Sequence, residues 1–367
     1  MIKKFTVIGA GTMGHGIAEL AAIAGYDVWV NDISDEILLN ARNKIAWSLS
    51  KLKKEEALER IHFTINQDEA LKDTDFMVEA VIEDIKVKSQ VFNKASKLAS
   101  ETAVLASNTS SIPISEIARA VDKQERVIGM HFFNPPVLMP LVEIIKGEKT
   151  SEETVRVALD VAKNMGKETI LINKDIPGFL VTRIMFRVNE VGCWLLDNKM
   201  AEVKDIDYTA IQVLQFPMGV FLLQDYVGLD VSYLIQRALI ERGFEVYYCK
   251  AFEEKYNSKE FGMKSGKGFY TYNGKIVEPT LENAKLVDPA LLVSSAINES
   301  FRLIRLGIVS KEDIGKGCKL GLNWPKTPEE YLKEFGLTAI VRNLKMLYES
   351  TGLPHFVPDE ELTRFYS

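Results

Sequence analysis

The chain has 367 residues, 47% hydrophobic and 26% charged, which is apolar material for two or three packed domains. A net charge of -6 and a pI near 5.5 argue against general nucleic-acid binding, which shows a basic face. The three cysteines, Cys193, Cys249 and Cys318, are far apart with no CxxC, so a reducing compartment and no disulfide framework are expected. Four scattered histidines with no HExxH speak against a metal site. No apolar run approaches the ~20 residues of a membrane span. "MIKKFTVIGAG" enters a strand at once, with no room for a leader segment, so the cytoplasm is the expected location.

The first predicted elements are the strand "KFTVIGA" and the helix "TMGHGIAELAAIAG", followed by the strand "DVWVND" and a helix capped by Ser34. "DFMVEAV", "AVLASNTS" and "RVIGMHFF" read as further strands with helices between most of them. Such alternation implies an α/β domain with a mostly parallel sheet covered on both faces. The first turn, "GAGTMG", sets Gly9, Gly11 and Gly14 in GxGxxG around Thr12 and Met13, between a strand and a helix. Gly9 permits the tight turn, Gly11 lets a pyrophosphate approach the backbone, and Gly14 lets helix and strand pack closely. Asp32 closes the second strand, where a carboxylate accepts from ribose hydroxyls and repels a 2′-phosphate. A Rossmann-type domain binding NAD rather than NADP is expected.

Two polar features follow. "SNTSS" at 107–111 closes an apolar strand, where ligands gather in open α/β sheets; Ser110 is either a substrate contact or part of a helix cap. "GMHFFNPPVLMPLVEII" carries His131 and, twelve residues on, Glu143. A dinucleotide domain followed by a helical one suggests hydride transfer with substrate held between them. Alcohol oxidation needs a base, for which His131 is suited, with Glu143 as the carboxylate that holds its ring. A buried histidine bonded to backbone is the other reading.

Near Lys174–Gly178 the pattern turns helical, giving expected domains at 1–177, 178–279 and 288–367. The last two look like an imperfect tandem repeat. With an offset of 108, Asp205, Ile206, Leu214, Pro217, Gly228 and Leu229 match Asp313, Ile314, Leu322, Pro325, Gly336 and Leu337. The second copy lacks the glycine-rich close "KSGKGFYTY" of the first.

The motifs "VIGAGTMGHGIA", "EAVIEDIKVK", "ASNTSSIPI", "GMHFFNPPVLMPLVEII", "DIPGFLVTR" and "FPMGVFLLQDYVGLD" resemble the 3-hydroxyacyl-CoA dehydrogenase family over nearly all of residues 1–272. Residues 288–367 resemble the degenerate second helical domain of tandem-domain members. The resemblance implies NAD-dependent interconversion of (3S)-3-hydroxyacyl-CoA, such as 3-hydroxybutyryl-CoA, and 3-oxoacyl-CoA in fatty acid metabolism. It makes His131 the base, Glu143 its partner and Ser110 a contact to the reacting oxygens. Glu83, Lys88 and Asn134 line the cofactor, and Ser48 meets CoA. The family's asparagine is replaced by Thr182, which offers a hydroxyl in place of a carboxamide. The segment after the second strand looks short for the family's CoA-holding hairpin. Arg42, Lys44, Lys51, Lys53 and Lys54 still make a basic stretch there, either a hold for CoA phosphates or a solvated helix face.

Two alternatives stay open: a dehydrogenase of a free hydroxy acid of gulonate type, and a non-catalytic NAD-binding protein. Phe132 and Phe133 favour the acyl-CoA reading over the first. No fused enoyl-CoA hydratase is expected after Pro279; a hydratase is either a separate partner or part of a bifunctional protein of which this chain is a fragment. The chain is expected as a monomer or a homodimer.

Overall fold

The computed structural model describes residues 2–273 and 284–364, in two compact units, Met1–Phe179 and Leu180–Ser367. The first unit is one eight-stranded sheet: β1 (Lys4–Ile8), β2 (Asp27–Asn31), β3 (Ile61–Thr64), β4 (Phe76–Glu79), β5 (Val104–Ser107), β6 (Val127–Phe132), β7 (Leu141–Lys146) and β8 (Glu168–Ile172). Their spatial order is β3-β2-β1-β4-β5-β6-β7-β8. All neighbours run parallel except β6 and β7. The order reverses between β1 and β4, which makes the carboxyl ends of these strands the natural ligand crevice.

Among its described residues this unit has the α-helices α1 (Gly14–Ile23), α2 (Asp35–Leu52), α3 (Gln67–Leu71), α4 (Ile85–Leu98), α5 (Ile114–Ala118) and α6 (Glu152–Asn164). Their starts are written locally. Ser34, Asp84 and Ser151 each accept a backbone N–H of the first turn of α2, α4 and α6. The central strands bury both faces, so they read as continuous apolar runs: Phe76, Met77 and Val78 in β4, Leu105 and Ala106 in β5, and Val127 and Ile128 in β6 are all fully buried.

The second unit is helical: α7 (Val181–Asp197), α8 (Val203–Gln212), α9 (Val220–Val227), α10 (Leu229–Glu241), α11 (Lys250–Asn257), α12 (Pro289–Arg305), α13 (Lys311–Lys316), α14 (Pro328–Phe335), α15 (Leu337–Thr351) and α16 (Glu360–Arg364). The stretches expected as domains at 178–279 and 288–367 both lie in this one compact unit, Leu180–Ser367. Residues 274–279 and 365–367 of those expectations lie outside the described residues. Within this unit α7 and α12 pack together around shared buried charge. Arg187 pairs with Glu190 on its own helix and with Glu299 on α12, and Glu299 also takes Arg183. Glu190 accepts from Ser295 and bonds His355, so removing either helical set would strand buried charges.

The expectation of no disulfide is corrected. Cys193 on α7 and Cys249 before α11 are joined across 56 residues, while Cys318 is a free, buried thiol. Among the described residues no group of three potential metal ligands gathers, and no helix is long and apolar enough to cross a membrane.

Candidate active site

The glycine turn after β1 is shaped by close contacts. Gly9 has φ +98, and a Cβ there would stand 2.5 Å from the Ala80 carbonyl oxygen; one on Gly14 would stand 1.7 Å from the Gly9 carbonyl oxygen. A Cβ on Gly11 would meet no atom within 4 Å, so that face of the turn is open to an approaching phosphate. Asp32 fixes the turn by accepting the Ala10 N–H at 2.7 Å and the Ile33 N–H at 2.7 Å. Each carboxylate oxygen keeps a lone pair for a ribose hydroxyl. A glycine cradle, the positive end of the ten-residue α1 and an acid at the end of β2 fit NAD. Thr12 and Met13 complete the turn ahead of Gly14.

His131 and Glu143 stand directly opposite each other in the antiparallel β6–β7 pair. Opposed residues share a face, with Cβ atoms about 4.5–5.5 Å apart. The two side chains therefore meet, and His131 Nδ1 lies 2.6 Å from Glu143 Oε2. Both are buried. A carboxylate only accepts, so Nδ1 carries the hydrogen, and in the neutral imidazole Nε2 presents a lone pair. Ser110 Oγ lies 3.1 Å from that Nε2. Phe133 and Phe179 pack on the imidazole, with ring centroids 4.7 and 5.9 Å away. This triad can take a proton from a hydroxyl placed beside Ser110 and hold the resulting imidazolium against Glu143.

The loop that presents Ser110 is built on an ion network in which Glu79 and Lys88 are buried and Glu83 reaches the surface. Glu83 Oε1 accepts the Ser110 and Ser111 N–H groups and the hydroxyls of Thr109 and Ser111. Lys88, almost fully buried, lies 3.2 Å from Glu83 Oε2 and 2.7 Å from Glu79 Oε1. Glu79 Oε2 accepts from Ser107. Burial pushes the Glu83 carboxyl upward, but the Lys88 ammonium and the Thr109 and Ser111 hydrogen bonds hold it below its ordinary range. Burial likewise works against the charge on Lys88, yet Glu79 and Glu83 keep its pKa above the usual lysine value. Lys88 and Glu83, expected as cofactor contacts, pair with each other, while Lys88 also holds Glu79 and Glu83 also holds the serine loop.

The other expected positions are more dispersed. Asn134 is exposed just past β6, at a cis bond to Pro135. Ser48 lies on α2 and donates to Glu19 on α1 at 2.6 Å, leaving its oxygen free to accept only. Lys54 is exposed after Lys53, whose φ of 56 ends α2, and Arg42, Lys44 and Lys51 are exposed on that helix. Thr182 is buried in the first turn of α7, in the second unit. Sequence reasoning missed Glu79 and Asn108. Asn108 Oδ1 accepts the Phe132 N–H at 2.8 Å and ties the serine loop to the strand of His131. Glu79 did leave a trace, as a carboxylate inside the apolar strand "FMVE".

Family models for the NAD-binding domain and the C-terminal domain of 3-hydroxyacyl-CoA dehydrogenase match residues 4–176 and 178–272. A probable 3-hydroxybutyryl-CoA dehydrogenase of Deinococcus radiodurans is 39% identical over 280 residues, covering 73% of this chain and all of that one. A fatty acid oxidation complex subunit alpha of Acinetobacter baumannii is 33% identical over 380 residues, covering 93% of this chain and 52% of that one. The crystal structure of a 3-hydroxybutyryl-CoA dehydrogenase from Escherichia coli has the same fold over 100% of this chain and 98% of its own, with a TM-score of 0.87 at 24% identity. The chain belongs to the 3-hydroxyacyl-CoA dehydrogenase family, NAD-binding oxidoreductases that act on CH–OH groups.

Proposed function

We propose that the chain oxidises (3S)-3-hydroxyacyl-CoA to 3-oxoacyl-CoA, and catalyses the reverse, with His131 as the proton carrier. The observation that carries this is the imidazole held at Nδ1 by Glu143 and facing Ser110 through Nε2. Bound NAD supplies the acceptor for the hydride leaving C3. His131 Nε2 takes the hydroxyl proton, Glu143 stabilises the imidazolium, and Ser110 Oγ aligns the substrate oxygen. Glu83 and Lys88 act by shaping the Ser110 loop beside the cofactor, and Asn134 serves the nicotinamide side. Ser48 and Lys54 belong to the CoA end. Exposed Lys54 offers charge to phosphate, and Ser48 accepts while still donating to Glu19. Thr182 is a substrate-side residue whose hydroxyl does the work of the family's asparagine.

The test is acetoacetyl-CoA-dependent oxidation of NADH by wild type and His131→Gln. Robust wild-type turnover with near loss in the variant is expected; an active variant would remove His131 as the base. Comparing 3-hydroxybutyryl-CoA with free 3-hydroxybutyrate addresses the gulonate-type alternative, and preference for the free acid overturns the acyl-CoA reading. NADH binding without any turnover supports the non-catalytic alternative.

The second helical set is proposed as a degenerate duplicate of the first. The helices α12 and α14 each begin 108 residues after α7 and α9, and Gly228 and Gly336 share a positive φ at the same point, in support of this. With α12 covering α7, a monomer is the proposed state, to be read by light scattering, and a separate enoyl-CoA hydratase the proposed functional partner, in the cytoplasm.

A further inference from the structure

Lys167 begins the backbone path into β8 and is buried, with no carboxylate pairing with it among the described residues. Its Nζ lies 2.6 Å from the Pro136 carbonyl oxygen and 2.8 Å from that of Met139. Desolvation pulls its pKa down to about 8. A buried ammonium held only by two carbonyls is a costly choice, since methionine fills similar space without desolvating a charge. What it grips is the loop between β6 and β7. That loop leaves His131 through Phe133 and Asn134 and returns as the strand of Glu143. Inside it, Leu138 and Met139 both donate to the Pro135 carbonyl, and Glu168, next to Lys167, donates to Pro140. On the loop's other side stands α1: a Cβ on Gly16 would meet the Pro136 ring at 3.1 Å. Pro136 is thus wedged between the cofactor-binding helix and the Lys167 ammonium.

We propose that Lys167 is a positioning residue for hydride transfer, fixing the loop that carries Asn134 against α1 and thereby the nicotinamide side of the site relative to His131. This rests on the roles given above to His131 and Asn134. A loop released by a fraction of an ångström changes the geometry of transfer before it changes the binding of the distant CoA moiety. Misplacement near 1 Å costs on the order of 10²-fold in rate.

The experiment is steady-state reduction of acetoacetyl-CoA by wild type, Lys167→Met and Lys167→Arg, with NADH affinity measured separately by its fluorescence and folding by thermal melting. Lys167→Met is expected to lower kcat by roughly 10- to 100-fold and raise the KM for NADH, with the KM for acetoacetyl-CoA nearly unchanged. Lys167→Arg, which restores a cationic donor, is expected to recover part of the loss. A folded Lys167→Met enzyme with wild-type kcat and NADH affinity overturns the proposal, whatever its melting temperature. So does an equal loss of affinity for both substrates. Lys167→Gln, which keeps an uncharged donor, is judged by the same criteria if the methionine variant does not fold. Lack of wild-type turnover would instead overturn the functional reading beneath it.

Discussion

Replacing Glu143 by glutamine is the sharpest probe of the proton-handling pair. The change is nearly isosteric, and the amide oxygen can still accept from His131 Nδ1, so the tautomer is preserved while the charge is lost. In the oxidation direction His131 is neutral before reaction and becomes an imidazolium as the hydroxyl proton arrives. The missing charge therefore matters in the transition state and little in the ground state. Glu143 is fully buried and 2.6 Å from the ring nitrogen. With about 4 Å between centres of charge and an effective dielectric near 20, the attraction is about 4 kcal/mol. The amide dipole and local relaxation return part of it, leaving a net loss of about 3–4 kcal/mol, or two to three powers of ten in rate. The assay is NADH formation from (S)-3-hydroxybutyryl-CoA at saturating NAD, with melting curves to establish that the variant is folded. The loss is expected equally in kcat and kcat/KM, the signature of an interaction made only in the transition state. A folded Glu143→Gln enzyme with kcat within about threefold of wild type, or with a defect confined to KM, refutes this electrostatic role.

Ser110→Ala removes one neutral hydrogen bond to the reacting centre and is expected to lower kcat about tenfold in the same assay. Lys88→Met leaves the fully buried Glu79 and the partly exposed Glu83 without their counter-ion and is expected to cost about 3–5 kcal/mol in denaturant unfolding; pairing it with Glu79→Gln should recover part of that. Asp207, held by the Phe221 and Leu222 N–H groups and Tyr270, has its pKa raised by burial to about 6 against an ordinary 3.8. The folded state thus keeps this proton more tightly, so its contribution is fully present below pH 3.8 and is lost as pH rises to about 6. Wild type minus Asp207→Asn stability should fall by about 3 kcal/mol over that window in paired unfolding titrations, and a flat difference refutes it. Alkylation of the denatured, unreduced chain should label one cysteine of three, and full reduction should lower stability by about 2–4 kcal/mol.

How much of this was legible in the sequence follows from the range of the interactions. The glycine turn, Asp32 and the cap at Ser34 are local, and each stands where the spacing placed it. Three strands were passed over. β3 carries His62, β7 carries Glu143 among apolar residues, and β8 begins at Glu168, so none gives a clean period. Only pairing with neighbours makes them strands. Nothing local in "EAVIEDIKVK" marks Glu79 and Lys88 as buried; they are so because β4, α4 and the serine loop converge on them. The disulfide left no local sign either. An odd count of cysteines hides a pair 56 residues apart that only the packing of α7 against the start of α11 brings together.

The antiparallel turn of β7 explains why the site needs that unread strand. A parallel neighbour after β6 would require a crossover of a dozen or more residues. Its strand would also start at the far end of the sheet from His131. The short loop through Asn134 and Pro140 instead sends the chain straight back and sets Glu143 in register with His131 at the carboxyl end of β6. Reversal of this one strand sets Glu143 beside His131 and places Asn134 in the loop between their strands. It also leaves that loop spanning the space beside α1 with few backbone partners of its own, where a buried lysine is found. A one-residue change in the length of this loop would move Glu143 to the opposite face of the sheet, because side chains alternate along a strand. Deleting Val137 should therefore abolish turnover more completely than Glu143→Gln, while a folded, active deletion variant would contradict the register as the source of the pair.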